Sequence, residues 1–296
     1  MPRPPLRPVR GVALLLVLWV LVLFIGLVSA FALAARTEAL QGRYLARSTA
    51  ARYAAEAGVE LAAVHLSGPD LARRWVPDGR PNRVEIEGYT VEVRVLDESA
   101  KVDLNVATSE LLVGLMTAVG ADFDRARQIA GAIADFRDAD NLLTPEGGAE
   151  DPQYAAADLP YGAKDRPFES VTELRQVLGM DQALYEKLLP HVTVYTGLAR
   201  PNPTFASLPV LQALGLPADQ LALVLAQRAQ ALPAQPQDPA QLGSLAAQGT
   251  GTYSISSLAT RADGSRAHIG AAIRIGSGGS FGQLYLPLSW RVGESD

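Results

Sequence analysis

The side chains best placed to do chemistry lie in one acidic stretch. It runs Asp135-Phe136-Arg137-Asp138-Ala139-Asp140 and resumes as Gly147-Gly148-Ala149-Glu150-Asp151-Pro152-Gln153-Tyr154. A calcium ion takes six to eight oxygen ligands, and a loop mixing carboxylates with main-chain carbonyls can supply them. The spacing is not that of an EF-hand. Counted from Asp138, Leu143 stands where the loop glycine belongs and Ala149 where the last glutamate belongs. Spacing alone therefore leaves two readings open: a calcium-binding loop, or a solvated acidic loop in which Asp138 is the polar end of a helix. Other chemistries are poorly supplied. The chain has no cysteine, which excludes disulfides and zinc-thiolate sites. Its three histidines, His65, His191 and His268, lie far apart without metal-ligand or triad spacing. No nucleophile elbow, phosphate loop or zinc motif is present. A membrane-anchored metal-dependent hydrolase would have to draw all its chemistry from the acidic loop, so the chain is read as a non-enzyme.

The elements that must carry this loop begin with the N-terminus. Arg3, Arg7 and Arg10 precede Gly11 with no acid among them, and residues 12–35 carry no charge. Twenty-four helical residues rise about 36 Å, enough to cross a bilayer core. Basic residues ahead of the span predict a cytoplasmic N-terminus and an exported remainder. A cleaved secretory signal would be shorter in its apolar part. Helical character continues to about Leu66 with no proline after Pro8 and only Gly26, Gly42 and Gly58 along the way. An apolar stripe through Ala39, Leu40, Tyr44, Leu45, Ala50, Ala54, Ala57, Leu61 and Val64 is expected to face a partner layer.

Beyond Pro69, Pro77, Gly79 and Pro81, alternation over 84–87 and 89–95 around Gly88 predicts a hairpin. Strand character returns over 254–256, 268–275 and 283–290, with turns at Asp263-Gly264 and Gly276–Gly279. Strands thus flank a largely helical middle. The expected fold is α+β: a long N-terminal helix packed on an antiparallel sheet, with a mostly helical domain inserted between strands. The expected divisions are a leader (1–11), the helix (12–68), the first part of the sheet (69–103), the insertion (104–248) and the last strands (249–296).

The insertion holds a weak repeat. Thr108, Leu111, Leu115, Gly120, Ile129 and Ile133 are echoed by Thr204, Leu211, Leu214, Gly215, Leu221 and Leu225, and residues 168–180 share the helix–glycine–helix logic. Thr108 and Ser170 read as N-caps, and residues 230–239 as a connector. Such units resemble helix-hairpin-helix DNA modules, which grip phosphates with turn amides and basic residues. Here residues 103–200 hold 16 Asp and Glu against 8 Lys and Arg, a net charge of −8, and the whole chain is at −5. That balance argues against nucleic acid.

A basic leader ending in glycine, followed by an apolar span that flows into a longer helix, resembles a type IV pilin. Arg10-Gly11-Val12-Ala13-Leu14-Leu15 resembles a prepilin peptidase site cut between Gly11 and Val12. Pilins usually carry glutamate at the fifth mature residue, whereas this chain has Leu16. A minor pseudopilin of the type II secretion system, general secretion pathway protein K, is known for that departure. Val102-Asp103-Leu104-Asn105, Asp135 to Asp140, Gly148 to Tyr154, Phe168 to Leu174 and Leu189 to Val194 resemble the inserted domain of the same family. The resemblance implies a single-pass inner-membrane anchor with a periplasmic domain. It implies assembly at the pseudopilus tip with minor pseudopilins of the I and J types, and contact with the major pseudopilin and the inner-membrane platform. It also implies calcium as a cofactor, with ligand roles carried onto Asp138, Asp140, Glu150 and Asp151. Lys164-Asp165 departs from the Lys-Asn pair common in relatives.

Overall fold

The computed structural model describes residues 12–70, 73–145, 147–231, 250–276 and 284–293. Gly11 and the rest of the expected leader lie outside these residues, as do most of the expected connector and the glycine-rich turn after Gly276.

Helix α1 (Val12–Ser67) is continuous over 56 residues. Its apolar N-terminal part is exposed and long enough to cross a membrane. The buried face lies in the second half: Ala51, Ala54, Ala55, Val59, Ala62, Ala63 and Leu66. Only Ala54 of the expected stripe is among these fully buried residues; Leu40, Tyr44, Leu45 and Val64 stay exposed. The reason is steric. The seam uses alanines and a glycine so that the helix axis can approach the sheet, and a Cβ on Gly58 would run into Ser257, Val91 and Val93.

The sheet is antiparallel, ordered β1-β2-β5-β6-β7, from β1 (Asp78–Ile86), β2 (Tyr89–Asp97), β5 (Thr252–Thr260), β6 (Arg266–Ile275) and β7 (Tyr285–Gly293). The β1–β2 hairpin turns on Glu87 (φ 49°) and Gly88 (φ 78°), two left-handed residues whose twist matches the strands. Strand β1 starts at Asp78 and takes in Pro81, which the sequence places in a loop. An edge strand tolerates proline, and the register shifts between Asp78 and Pro81. On the helix side, Val91, Val93, Val95, Ile255, Ile269 and Ile273 close a core with α1.

β2 and β5 are hydrogen-bonded neighbours, with Val91 opposite Ala259 and Asp97 opposite Tyr253. Everything between them is an insertion on one sheet bond, agreeing with the expected α+β architecture. The inserted elements are a parallel pair, β3 (Val102–Asp103) with β4 (Val192–Thr193), and helices α2 (Ser109–Ala118), α3 (Phe123–Arg137), α4 (Asp151–Ala156), α5 (Gln182–Leu188), α6 (Leu208–Ala213) and α7 (Ala218–Ala231). Their own core is built from Leu112, Leu115, Ile129, Ile133, Phe136, Tyr154 and Leu174 among others. Thr108 caps α2 by accepting from the Leu111 amide at 3.2 Å. Ser170 heads a short 3-10 helix, Val171–Gln176. The repeat glycines Gly120, Gly179 and Gly215 all take positive φ, as tight turns between helices require.

Candidate functional site

Helix α3 delivers the first carboxylates. Its last turn buries Asp135, whose two oxygens accept from the Thr144 amide at 3.1 and 3.2 Å and so tie down the loop that follows. Asp138 is the C-terminal cap residue of α3, and Asp140 accepts from the Leu142 amide at 2.8 Å. The chain returns over α3 through Gly147 (φ 136°), where a side chain would strike the backbone of Gln128. That close passage sets Glu150 at the head of α4. Gln153 fixes the turn by accepting from the Glu150 amide at 3.0 Å.

Glu150 is only 4% exposed, yet neither of its carboxylate oxygens has a protein hydrogen-bond partner. Asp138 Oδ1 and Asp165 Oδ1 are buried and unpartnered in the same way. The charges feel one another. Burial first, then Asp135, Asp165, Asp138 and Asp140, push the Glu150 carboxyl up to about 7. Burial, then Asp140, Asp135 and Asp165, likewise raise Asp138. The basic neighbour Arg137 offsets this only in part, because its guanidinium donates to the carbonyls of Leu104 and Ala107.

Of the four expected ligand residues, Asp138, Asp140 and Glu150 lie within electrostatic reach of one another. Asp151 is exposed, and its carboxylate lies over Gly162, leaving that residue no room for a side chain. Asp165 takes the place beside the other carboxylates. It holds a left-handed backbone (φ 53°), a conformation aspartate tolerates better than most residues. Lys164 anchors it through an ion pair with Glu173 at 2.7 Å. Among the described residues, no three acidic or histidine side chains already stand at metal-coordination spacing. The cluster is close enough for mutual repulsion and not drawn in further. Buried carboxylate oxygens without donors carry a large desolvation cost. A hard divalent cation is the chemistry that would satisfy them.

At two of the hairpin turns the helix amides are already taken. Asp122 occupies the first amides of α3, accepting from Asp124 and Arg125 at 3.0 and 3.2 Å. Asp181 does the same for Leu184 at 2.7 Å and pairs with Arg125 at 2.6 Å. Helix amides that would meet a phosphate are thus held by the protein's own carboxylates.

Residues 92–197, which contain the whole cluster, match the family model described as type II secretion system (T2SS), protein K. Over these residues the chain is similar to the type II secretion system protein K family. It is 32% identical over 206 residues to type II secretion system protein K of Klebsiella pneumoniae, and 31% over 214 residues to that of Pectobacterium carotovorum subsp. carotovorum. Each alignment spans 62% of this chain and 62% of the relative. The protein K of Pseudomonas aeruginosa is 31% identical over 153 residues, 49% of this chain and 45% of the relative. The fold resembles a chain of the GspK-GspI-GspJ complex from the enterotoxigenic Escherichia coli Type 2 Secretion System. The TM-score is 0.62 at 21% identity, covering 86% of this chain and 100% of that one. The likeness agrees with the expected long N-terminal helix packed on an antiparallel sheet with a helical insertion.

Proposed function

We propose that the protein is a minor pseudopilin of the type II secretion system that joins other minor pseudopilins at the tip of the pseudopilus. The reading is carried by one observation: a helical domain inserted between neighbouring strands of a pilin-like sheet, behind a long helix whose first part is apolar and exposed. The family-model match over residues 92–197 and the likeness to a chain of the GspK-GspI-GspJ complex support it.

In this reading residues 12–35 anchor the chain in the inner membrane and the sheet and insertion lie in the periplasm. Prepilin peptidase cuts between Gly11 and Val12. The chain works as a structural subunit that supports export of folded proteins, in contact with the I- and J-type pseudopilins, the major pseudopilin and the inner-membrane platform. Leu16 in place of the pilin glutamate leaves it nothing to offer the amine of a subunit above, and the insertion crowds that position. Calcium fits the acidic cluster: Asp138, Asp140, Glu150 and Asp165 would hold it, and its charge would neutralise a group of carboxylates that otherwise repel. Asp151 is not retained as a ligand.

Co-expression of the full chain with the I- and J-type pseudopilins of the same operon, followed by detergent extraction and size-exclusion chromatography, tests the reading. A stable complex containing all three is expected. Separate elution at micromolar concentration would overturn it.

A further inference from the structure

The sheet and the insertion have separate apolar cores that share no buried residue. Val76, ahead of β1, reaches into the core of the insertion, and beside it the joint is rich in buried polar groups. Asp97, Glu98, Asp103 and Thr193 are each at most 1% exposed, and all lie where the chain passes between the two bodies. Asp97, the last residue of β2, accepts from the amide and the hydroxyl of Thr250 on the returning segment, both at 2.8 Å, and from the Ser99 amide at 2.8 Å. Glu98 accepts from Thr193 in the insertion and from Ser254 in the sheet, and it pairs with Lys101 at 2.5 Å. Asp103 accepts from the amides of Thr196 and Gly197 at 2.9 and 2.8 Å, and from the Thr196 hydroxyl at 3.0 Å. From the sheet side, Arg274 donates to the Tyr195 carbonyl at 2.6 Å.

We propose that these three buried carboxylates are an orientation lock: they fix the inserted domain at a single angle on the sheet. Apolar contact is non-directional and lets two bodies slide, whereas hydrogen bonds are directional and tolerate little rotation. Glu98 binds sheet and insertion together, Asp97 ties the outgoing passage to the returning one, and Asp103 pins the start of the insertion to the segment after β4. Rotation of the domain therefore breaks several bonds at once and strands a buried charge, a far larger cost than losing one exposed bond. Such a joint has one well-populated geometry.

The absence of cysteine makes the test direct, since two introduced cysteines label cleanly. Ala183→Cys on α5 and Arg266→Cys on β6, both exposed positions, report the distance between the bodies in the full chain in detergent by pulsed electron paramagnetic resonance. The lock predicts one narrow distance distribution. Glu98→Gln should broaden it and raise hydrogen exchange at the Ser99, Thr196 and Gly197 amides by about tenfold or more. Thr196→Val with Thr250→Val removes only hydroxyls near the surface of the joint. It should broaden the distribution less, and it decides the matter should Glu98→Gln not fold. A folded lock variant with the original narrow distribution and unchanged exchange would overturn the proposal.

Discussion

Glu150 shows how much a single side chain can say. A carboxylate 96% removed from solvent, with both oxygens unpartnered and four acids acting on it, is costly unless something cationic meets it. Binding to the native state adds RT ln(1 + [L]/Kd), about 2.7 kcal/mol at a hundredfold excess over Kd. The metal-free full chain in detergent should therefore melt at a higher temperature when calcium is added. Glu150→Gln or Asp165→Asn should lose most of that rise, and Asp151→Asn should keep it. An identical midpoint with and without calcium would sink the calcium reading, whereas a rise lost in Asp151→Asn and kept in Asp165→Asn would reverse the ligand assignment alone. That Asp138, Asp140 and Glu150 crowd into one acidic cluster was legible in the sequence. Asp165 was not, because its approach depends on a left-handed backbone and on Lys164 reaching Glu173, and neither is written in residue spacing.

At the scale of elements, α1, the hairpin and the repeat glycines follow from length, alternation and turn chemistry, and the structure has them. The buried face of α1 did not follow. Periodicity looks for large apolar residues, and this helix meets its sheet through alanines and Gly58. Gly58→Val should thus lower the urea midpoint in detergent, with a loss of about 1–3 kcal/mol from overpacking. Gly42→Ala, with open space around the site, should hold stability or add up to about 1 kcal/mol through helix propensity. Equal effects of the two would mean that the helix does not lie on the sheet as described. Upstream of the seam, the expected cut between Gly11 and Val12 is read by intact-mass spectrometry of the native N-terminus. A mature chain starting at Val12 is expected, and a start after Ala30 or Ala34 would turn the span into an ordinary signal peptide.

For the whole molecule, the position in the filament turns on what the anchor can offer a neighbour. A carboxylate within hydrocarbon costs about 2.5–3.5 kcal/mol on insertion scales unless it is paired. A pilin inside a shaft recovers that cost through the amine of the subunit above, which a tip subunit lacks. On the proposed tip role, Leu16 is the residue expected at this position. Leu16→Glu should consequently give no gain in secretion and should lower the amount of protein recovered in the membrane. Restored or improved secretion in that variant would mean the chain takes up shaft positions. The same point is read without mutation by cross-linking assembled pseudopili and counting subunits. The tip assignment requires about one copy of this chain for many of the major pseudopilin, with cross-links to the I- and J-type subunits at one end of the filament. Copies spaced along the shaft in amounts comparable to the major pseudopilin would defeat it.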